Sequence, residues 1–212
     1  MTIVQTYLTF FKKMMQLQPG ERITRIRTMT WFMAGMLESR SVHLSHIANK
    51  IPGKATCRSR TMQFARFVAN KHIRVRPWYE PVVRRLLEKA VQQQKCVRLI
   101  IDCSKVGNGH QLCMVALAYR RRALPLAWTW VRARKGHSSG RKQQALLTYL
   151  HQFLPAEAEV VVLGDSEFTP VQETLEQWGW YYALRQKGSH QIRRSPVDPW
   201  QRCDSLVTKP GQ

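Results

Sequence analysis

The sequence predicts an α/β protein in which an all-helical segment precedes a mixed β-sheet, and three observations support that fold class. Apolar residues recur at helical spacing through residues 1–94. From Lys95 onward, short apolar runs rich in β-branched residues replace that spacing, which is typical of buried strands. Helical stretches then separate the last of these runs, as in strands joined by crossover helices. We therefore expect a helical domain over 1–94 and a sheet domain over 95–188.

The predicted helices of the first domain are separated by short breaks. They cover 23–37, 43–48, a stripe through Phe64, Phe67 and Val68, and 77–94. The break at Ile51-Pro52-Gly53 combines two residues that interrupt helices. The last helix is strongly amphipathic, so one of its faces should be buried.

The second domain predicts five strands and two helices. In chain order we expect strands at 97–102, 111–119 and 123–131, a helix at 142–153, a strand at 159–165, a helix at 169–178 and a strand at 180–185. The tight basic connection at 120–122 makes a hairpin of the second and third strands, and Thr169 should cap the second helix with Pro170 at its first position. Three meandering strands followed by two crossover units are the order of the RNase H-like fold. Residues 189–212 predict a loop or the beginning of a further element.

The formal net charge of +21 indicates a polyanionic partner. Self-repulsion at that charge disfavours a compact state unless a polyanion is near, so we expect nucleic acid, and double-stranded DNA in particular, as the partner. Anionic lipids also attract cations, but here the cations run through the whole sequence. No apolar run reaches the roughly 18 residues that a membrane span requires. We therefore expect no membrane association.

The cysteine pattern predicts a reduced, cytoplasmic protein. The five cysteines form no CxxC pair and no even framework, which is typical of free thiols. His43 and His46 lie three residues apart, but no second ligand pair has zinc-site spacing. The order of lysines and apolar residues at the amino terminus is opposite to that of a signal peptide.

Acidic residues are scarce, so the positions of two aspartates are informative. No Asp or Glu occurs between Asp102 and Glu157. Asp102 closes the first predicted strand and Asp165 closes the fourth, and these strands are neighbours in an RNase H-like sheet. Two converging carboxylates in basic surroundings suit Mg²⁺ or Mn²⁺ and the hydrolysis of a phosphodiester. The alternative is that both are turn formers or ion-pair partners of nearby arginines.

Five stretches resemble, in order and spacing, the DDE transposases of the insertion-sequence-four group. They are IDCSKVG (101–107), RALPLAWTWV (122–131), KGHSS (135–139), VLGDSEF (162–168) and YYALRQKG (181–188). The resemblance covers about half of the chain, and the amino-terminal helices resemble the DNA-binding segment of that group. It implies that Asp102 and Asp165 are the first two members of a metal triad that holds Mg²⁺ or Mn²⁺. It also implies that transposon ends and target duplexes are the substrates.

The sequence departs from the group's pattern in two places. Ser166 follows the second aspartate, where the group commonly has arginine. The Tyr-x2-Arg-x3-Glu-x6-Lys motif that carries the third acid is absent, since Ser189 stands where the glutamate would follow Tyr182 and Arg185. We therefore expect a chain that is cut short within or before the strand-rich insertion and deficient in cleavage. Glu167 is not expected to substitute, because metal geometry must be held tightly.

Basic residues predict the DNA-binding surfaces. No acid occurs from Ser39 to Tyr79, whereas nine cations do. Helix, break and helix in this region is compatible with a helix-turn-helix, whose second helix enters the major groove; a helical bundle with a solvated basic face is the alternative. The residues expected to contact DNA are Arg58, Arg60, Arg66, Arg120, Arg121, Arg122, Arg132, Arg134, Lys135 and Arg185.

The leading functional hypothesis is therefore a transposase that cleaves and transfers DNA strands, and a homodimer is one expected assembly. A different class of function is a non-catalytic DNA-binding protein that occupies transposon ends or inhibits transposition. A structure-specific nuclease of the same fold and a basic RNA-binding protein are the remaining alternatives.

Overall fold

The chain is an α/β protein that divides into two compact units, Met1–Arg84 and Arg85–Gln212. A computed structural model describes residues 2–93, 96–132, 138–193 and 195–206. None of the helices in those ranges is long and apolar enough to cross a membrane. The boundary between the units falls within the fifth helix.

Helices account for the regular structure of the amino-terminal part of the chain. They are α1 (Ile3–Leu17), α2 (Ile23–Ser39), α3 (Leu44–Lys50), α4 (Cys57–Val68) and α5 (Val75–Gln93). Helix α1 begins with a reciprocal cap, in which Gln5 N donates to Thr2 Oγ1 at 3.3 Å and Thr2 N donates to Gln5 Oε1 at 2.8 Å. This arrangement satisfies two of the amide groups that the first turn leaves without an intrahelical partner.

Buried apolar side chains hold α2, α3 and α4 together. Ile47, Ile51 and Phe64 form a cluster with Ala48, and Trp31 and Phe32 are among the half-buried side chains around it. Gly35 permits the close approach of α2 to α3, because a Cβ at that position would lie 2.7 Å from Ile47 Cγ2. These contacts explain the apolar stripes that the sequence shows on either side of the 51–53 break.

The second unit contains a mixed five-stranded sheet in the order β3-β2-β1-β4-β5. Its elements are β1 (Val97–Lys105), β2 (Gln111–Tyr119), β3 (Arg122–Val131), α6 (Gly140–His151), β4 (Val160–Gly164), α7 (Gln172–Gln177) and β5 (Tyr181–Leu184). Strands β1, β2 and β3 pair antiparallel, whereas β1 with β4 and β4 with β5 pair parallel. The predicted α/β class and mixed sheet are confirmed.

The two faces of the sheet differ in burial. On β1 the odd-numbered side chains from Val97 to Cys103 are buried, whereas Arg98, Asp102 and Ser104 are exposed. Helix α6 contacts β2 and β3 and contributes the fully buried Leu147 and Leu150. We call the face that carries Arg98, Asp102 and Ser104 the aspartate face.

Several elements differ from the sequence prediction, most clearly β1, the helix after Asp165 and the tail. Strand β1 continues to Lys105 instead of ending at Asp102, because its pairing with β2 persists that far. The helix expected from Thr169 begins earlier, as a 3-10 helix over Ser166–Val171 that leads into α7. Its N-cap is Asp165 and not Thr169, so Pro170 lies inside the 3-10 helix. In the tail, Gln191–Ile192 (β6) pairs with Gln201–Arg202 (β7), and a 3-10 helix follows over Cys203–Leu206.

The prediction of five reduced thiols is wrong for two of them. Cys103 and Cys113 form a disulfide, and both are buried. The cause is the β1–β2 register, which sets the two residues directly opposite each other with their Cα atoms 4.0 Å apart. Neighbouring antiparallel strands bring Cβ atoms of opposed residues close enough for a disulfide. Cys57, Cys96 and Cys203 are free.

Reduction should lower the stability of the sheet unit. A disulfide between residues separated by 10 positions lowers the conformational entropy of the unfolded chain, which stabilises the folded state by about 2–3 kcal/mol. We expect a phosphine reductant to lower the midpoint of urea unfolding by the corresponding amount. A Cys103→Ala/Cys113→Ala variant should not respond to the reductant, and five reactive thiols in unreduced, denatured wild-type protein would contradict the disulfide.

Candidate metal site and nucleic-acid interface

Strand register sets Asp102 beside Asp165. Ile100 pairs with Leu163 across the parallel β1–β4 ladder, and each aspartate lies two residues further along its own strand. The backbone of Asp165 is still extended, with φ −92° and ψ −174°, so the alternation of side chains continues to that residue. Neighbouring strands lie about 4.8 Å apart. Both carboxylates therefore belong to the aspartate face, at the carboxyl ends of adjacent strands.

Each of the two carboxylates accepts one backbone hydrogen bond. Cys103 N donates to Asp102 Oδ1 at 2.8 Å, and Glu167 N donates to Asp165 Oδ1 at 2.9 Å. Both residues are exposed, and in the part of the chain that the structure describes neither forms an ion pair. Asp165 therefore acts as a turn former, which was the alternative to its being a metal ligand.

Glu167 is held by a different set of contacts. The 3-10 helix replaces the strand after Asp165, so strand alternation does not carry Glu167 to the aspartate face. Ser138 N donates to Glu167 Oε1 at 2.6 Å, and Gln143 Nε2 donates to the main-chain oxygen of Glu167 at 3.2 Å. Gln143 is fully buried on α6. Glu167 thus links the start of α6 to the turn after β4.

The described residues fit one hydrated divalent ion better than a fixed pair of ions. Two exposed carboxylates on adjacent strands supply the hard oxygen ligands that Mg²⁺ and Mn²⁺ prefer. Within the described ranges, no group of three His, Cys, Asp or Glu side chains is placed to hold a metal ion. A two-ion site needs further ligands to position the second ion.

Two of the expected DNA-binding arginines lie at the same edge of the sheet as the aspartates. Arg185 N donates to Gly164 O at 3.0 Å, which continues the β4–β5 ladder to the position next to Asp165. Arg132 follows Val131, whose partner on β2 is the first residue of that strand. Both arginines are exposed. Arg185 therefore lies next to the carboxylates, whereas Arg132 lies four residues beyond Trp128, the β3 residue level with Asp102, and two strands away, which is roughly 16 Å from Asp102.

The arginines of the β2–β3 turn lie at the opposite ends of the strands. Met114 is the β2 partner of Asp102, and Tyr119 at the far end of β2 pairs with Arg122. Five residues of strand separate those two positions on β2, which is roughly 17 Å. The expected basic cleft around Asp102 therefore does not include Arg120, Arg121 or Arg122. Arg134 and Lys135 lie outside the described residues.

Tyr182, the first residue of the partial Tyr-Arg match, contacts α7. Its hydroxyl donates to Glu176 Oε1 at 2.6 Å. That hydrogen bond, together with partial burial, raises the pKa of Tyr182 above its ordinary value. The contact fastens β5 to α7 and gives Tyr182 a structural partner on the face opposite the aspartates.

The three arginines expected on the second helix of the helix-turn-helix have two different environments. Arg58 and Arg66 are exposed and lie on one stripe of α4 with the exposed Met62. Arg60 instead folds back on the preceding loop, where Nη2 donates to Pro52 O at 2.6 Å and Nε donates to Ala55 O at 3.2 Å. We therefore assign Arg60 to positioning the turn, and Arg58 and Arg66 to the free surface.

The loop between α3 and α4 depends on Gly53. Its φ of +115° is a conformation that other residues rarely adopt, and a Cβ there would lie 2.9 Å from Arg60 Nη2. Thr56 then caps α4 by accepting a hydrogen bond from Ser59 N at 3.2 Å. The Pro-Gly break thus sets the conformation of the loop from which α4 starts.

No protein-family model matches the chain, and no curated protein matches it.

Removing the Asp102 carboxylate should weaken metal binding without weakening folding or DNA binding. We expect Asp102→Ala to weaken Mn²⁺ binding, measured by the electron paramagnetic resonance signal of free Mn²⁺, because one of two ligands is lost. Stability should change by less than about 0.5 kcal/mol, since the side chain is exposed. Affinity for duplex DNA should stay the same or rise, because a negative charge is removed.

Two comparisons make that experiment specific. Asp165→Ala should also weaken Mn²⁺ binding and should additionally lower stability by about 1 kcal/mol, because Asp165 caps the 3-10 helix. Glu157→Ala removes an exposed acid elsewhere and should leave Mn²⁺ binding unchanged. Unchanged Mn²⁺ affinity in Asp102→Ala with reduced DNA affinity would show that Asp102 is a structural residue.

Proposed function

We propose that this chain binds duplex DNA at transposon ends and carries the catalytic-type sheet of a DDE transposase of the insertion-sequence-four group. The observation that carries the proposal is the β1–β4 register, which sets two exposed carboxylates side by side at one edge of a mixed sheet. Carboxylates at adjacent strand ends, with an arginine beside them, are the chemistry that phosphodiester cleavage requires.

Topology supports an RNase H-like assignment. Three antiparallel strands form one side of the sheet, two parallel strands extend it beyond β1, and the order β3-β2-β1-β4-β5 places β1 next to β4. That order brings the first and fourth strands together, as the strand sequence predicted. Fold analogy alone does not establish an activity, so the proposal depends on the aspartates and on the charge around them.

The residues at the aspartate edge have distinct roles in this proposal. Asp102 and Asp165 hold Mg²⁺ or Mn²⁺, which when bound stabilises negative charge developing on a phosphodiester oxygen. Arg185 binds a backbone phosphate beside the carboxylates, and Arg132 binds a phosphate further along the same DNA strand. The cap that Asp165 makes with Glu167 N fixes its carboxylate, so that it need not be ordered when the substrate arrives.

Helix α4 is the proposed reading element of the amino-terminal unit. Arg58, Met62 and Arg66 follow one another at intervals of four residues and are exposed, so they lie on one stripe of the helix. Arginine pairs well with phosphates and with guanine, and an apolar side chain contacts the methyl group of thymine. The hydrogen bonds from Arg60 to Pro52 O and Ala55 O hold the start of α4 against the preceding loop.

A non-catalytic form of this function is favoured by the contacts of Glu167. This residue is the nearest acid to the aspartate pair in sequence, and its carboxylate is engaged by Ser138 N. We therefore propose that this chain occupies transposon ends without cutting them. A cytoplasmic location and a homodimer stay predictions, as do Mg²⁺ and the target duplex.

Binding to duplex DNA should depend strongly on salt. If the chain neutralises about six phosphates, its affinity should fall roughly a thousandfold between about 50 and 200 mM salt. Fluorescence anisotropy with a labelled duplex of about 30 base pairs measures this. A flat response to salt would exclude an electrostatic DNA interface.

The arginines of α4 provide a matched pair for the same assay. Arg58→Ala should reduce the slope of log affinity against log salt by about 0.9, since one phosphate contact is lost. Arg60→Met should mainly lower the free energy of unfolding, by about 1–2 kcal/mol, because two backbone carbonyls lose a charged donor. Equal effects of the two variants on DNA affinity, with unchanged stability, would contradict these separate roles.

The chain should not cut transposon ends by itself. Two carboxylates leave a second ion without a fixed position, and positioning dominates the rate of phosphoryl transfer. The test is a cleavage assay on end-labelled DNA with protein in excess and Mn²⁺ as the metal. Specific nicking that disappears in both Asp102→Ala and Asp165→Ala would contradict the prediction, and Glu167→Gln would then identify or exclude the third ligand.

A further inference from the structure

We propose that four arginines form a second phosphate-binding site, at the ends of the strands opposite to those that carry the aspartates. This site holds the backbone of the bound DNA and consists of Arg98, Arg120, Arg121 and Arg122. The inference rests on the proposed DNA-binding function. We call these four residues the arginine pocket.

Strand register assembles the arginine pocket from two separate parts of the chain. Leu99 pairs with Leu117, so Arg98 on β1 lies opposite Ala118 on β2. Ala118 is one residue before Tyr119, which pairs with Arg122 across the two-residue β2–β3 turn. A cavity of about 490 Å³ lies between these positions, with the four arginines around it and Ile100 and Ala118 among its other lining residues.

No carboxylate pairs with the arginine pocket among the described residues, and the guanidinium of Arg120 lies over the Tyr119 ring, 5.3 Å from its centroid. All four arginines are exposed, and none forms an ion pair there. Four guanidinium groups around one cavity repel each other, and a bound anion offsets that repulsion. The planar donors of arginine match the oxygen atoms of a phosphate in a bidentate manner. A phosphate is thus the ligand whose charge and geometry the pocket fits.

Backbone conformation provides an independent argument. Arg120 and Arg121 form the whole turn between β2 and β3, and both have positive φ, 45° and 63°. Two-residue hairpin turns with positive φ at both positions favour Asn-Gly or Asp-Gly, because side chains such as arginine are strained there. Such conformations persist where function requires the residue and cluster at ligand-binding sites. The turn therefore retains two arginines at a position where they weaken the hairpin.

The position of the arginine pocket fits the DNA path proposed for the aspartate edge. Arg98 and Asp102 lie on the same face of β1, four residues apart, which is roughly 13 Å of strand. Phosphates on one strand of a duplex follow each other at about 3.4 Å along the helix axis. A backbone that passes Asp102 thus reaches Arg98 within about four nucleotides. The pocket would fix the DNA at a second point along the aspartate face.

The decisive variant is Arg120→Asn/Arg121→Gly, because it should raise stability and lower DNA affinity together. The midpoint of urea unfolding should increase, since Asn-Gly suits the turn. The slope of log affinity against log salt should decrease by about 0.9 for each phosphate that is released. If one phosphate contact is lost, the loss of affinity between about 50 and 200 mM salt becomes about 3.5-fold smaller than the loss measured for the wild type. Arg98→Gln should reduce the slope without the gain in stability.

A charge-matched control distinguishes the arginine pocket from general electrostatics. Lys12→Gln/Lys13→Gln removes two exposed charges from α1 and should change the slope less than Arg120→Asn/Arg121→Gly. Equal losses in the two double variants overturn the pocket, and so does an unchanged slope in Arg120→Asn/Arg121→Gly. If Arg58→Ala still weakens binding in that case, the proposed DNA-binding function stands. A wild-type chain that binds no duplex DNA overturns both proposals.

Discussion

The parallel pairing of β1 with β4 is the constraint on which the sheet unit depends. Leu99 and Val162 pair directly and are fully buried on the face that carries the core. Because side chains alternate with a period of two, a slip of one residue would expose these apolar side chains and bury the aspartates. Burial of one face thus fixes the register, and the register sets Asp102 beside Asp165. The candidate site is a consequence of core packing on the other side of the same strands.

Apolar β-branched runs and helical spacing in the sequence are sufficient to predict the five strands of the sheet and most helices, whereas β6 and β7 in the tail are not predicted. The prediction of a helix start is wrong where a side chain earlier in the chain caps the helix instead. Thr169-Pro170 is a strong local signal for a helix start, yet Asp165 accepts an amide hydrogen bond earlier and begins a 3-10 helix. The Cys103–Cys113 disulfide could not be predicted without the register, since spacing alone does not say which strand residues are opposed.

The roles of several site residues also could not be predicted from the sequence, because they depend on contacts between residues distant in the chain. Arg58 and Arg60 look equivalent in the sequence, because both are basic residues near a helix start. Only the loop conformation, with Gly53 at positive φ, offers Arg60 the carbonyls of Pro52 and Ala55. Arg98 was missed because a single cation in an apolar strand has no signal of its own. Its significance arises from the β2–β3 turn, which brings distant arginines beside it.

The ion pairs that the structure describes contribute little to the stability of either unit. Arg25–Glu21, Arg84–Glu80 and Arg202–Asp204 are ion pairs of the described residues, and each joins residues close in sequence. Exposed pairs of this kind contribute about 0–1 kcal/mol each. The chain has 34 Lys and Arg residues against 13 acids, so the excess cations are not balanced by acids within the fold. Buried apolar side chains form the core of each unit, and the excess cations are available to a polyanion, which is the physical basis of the proposal that this chain binds DNA.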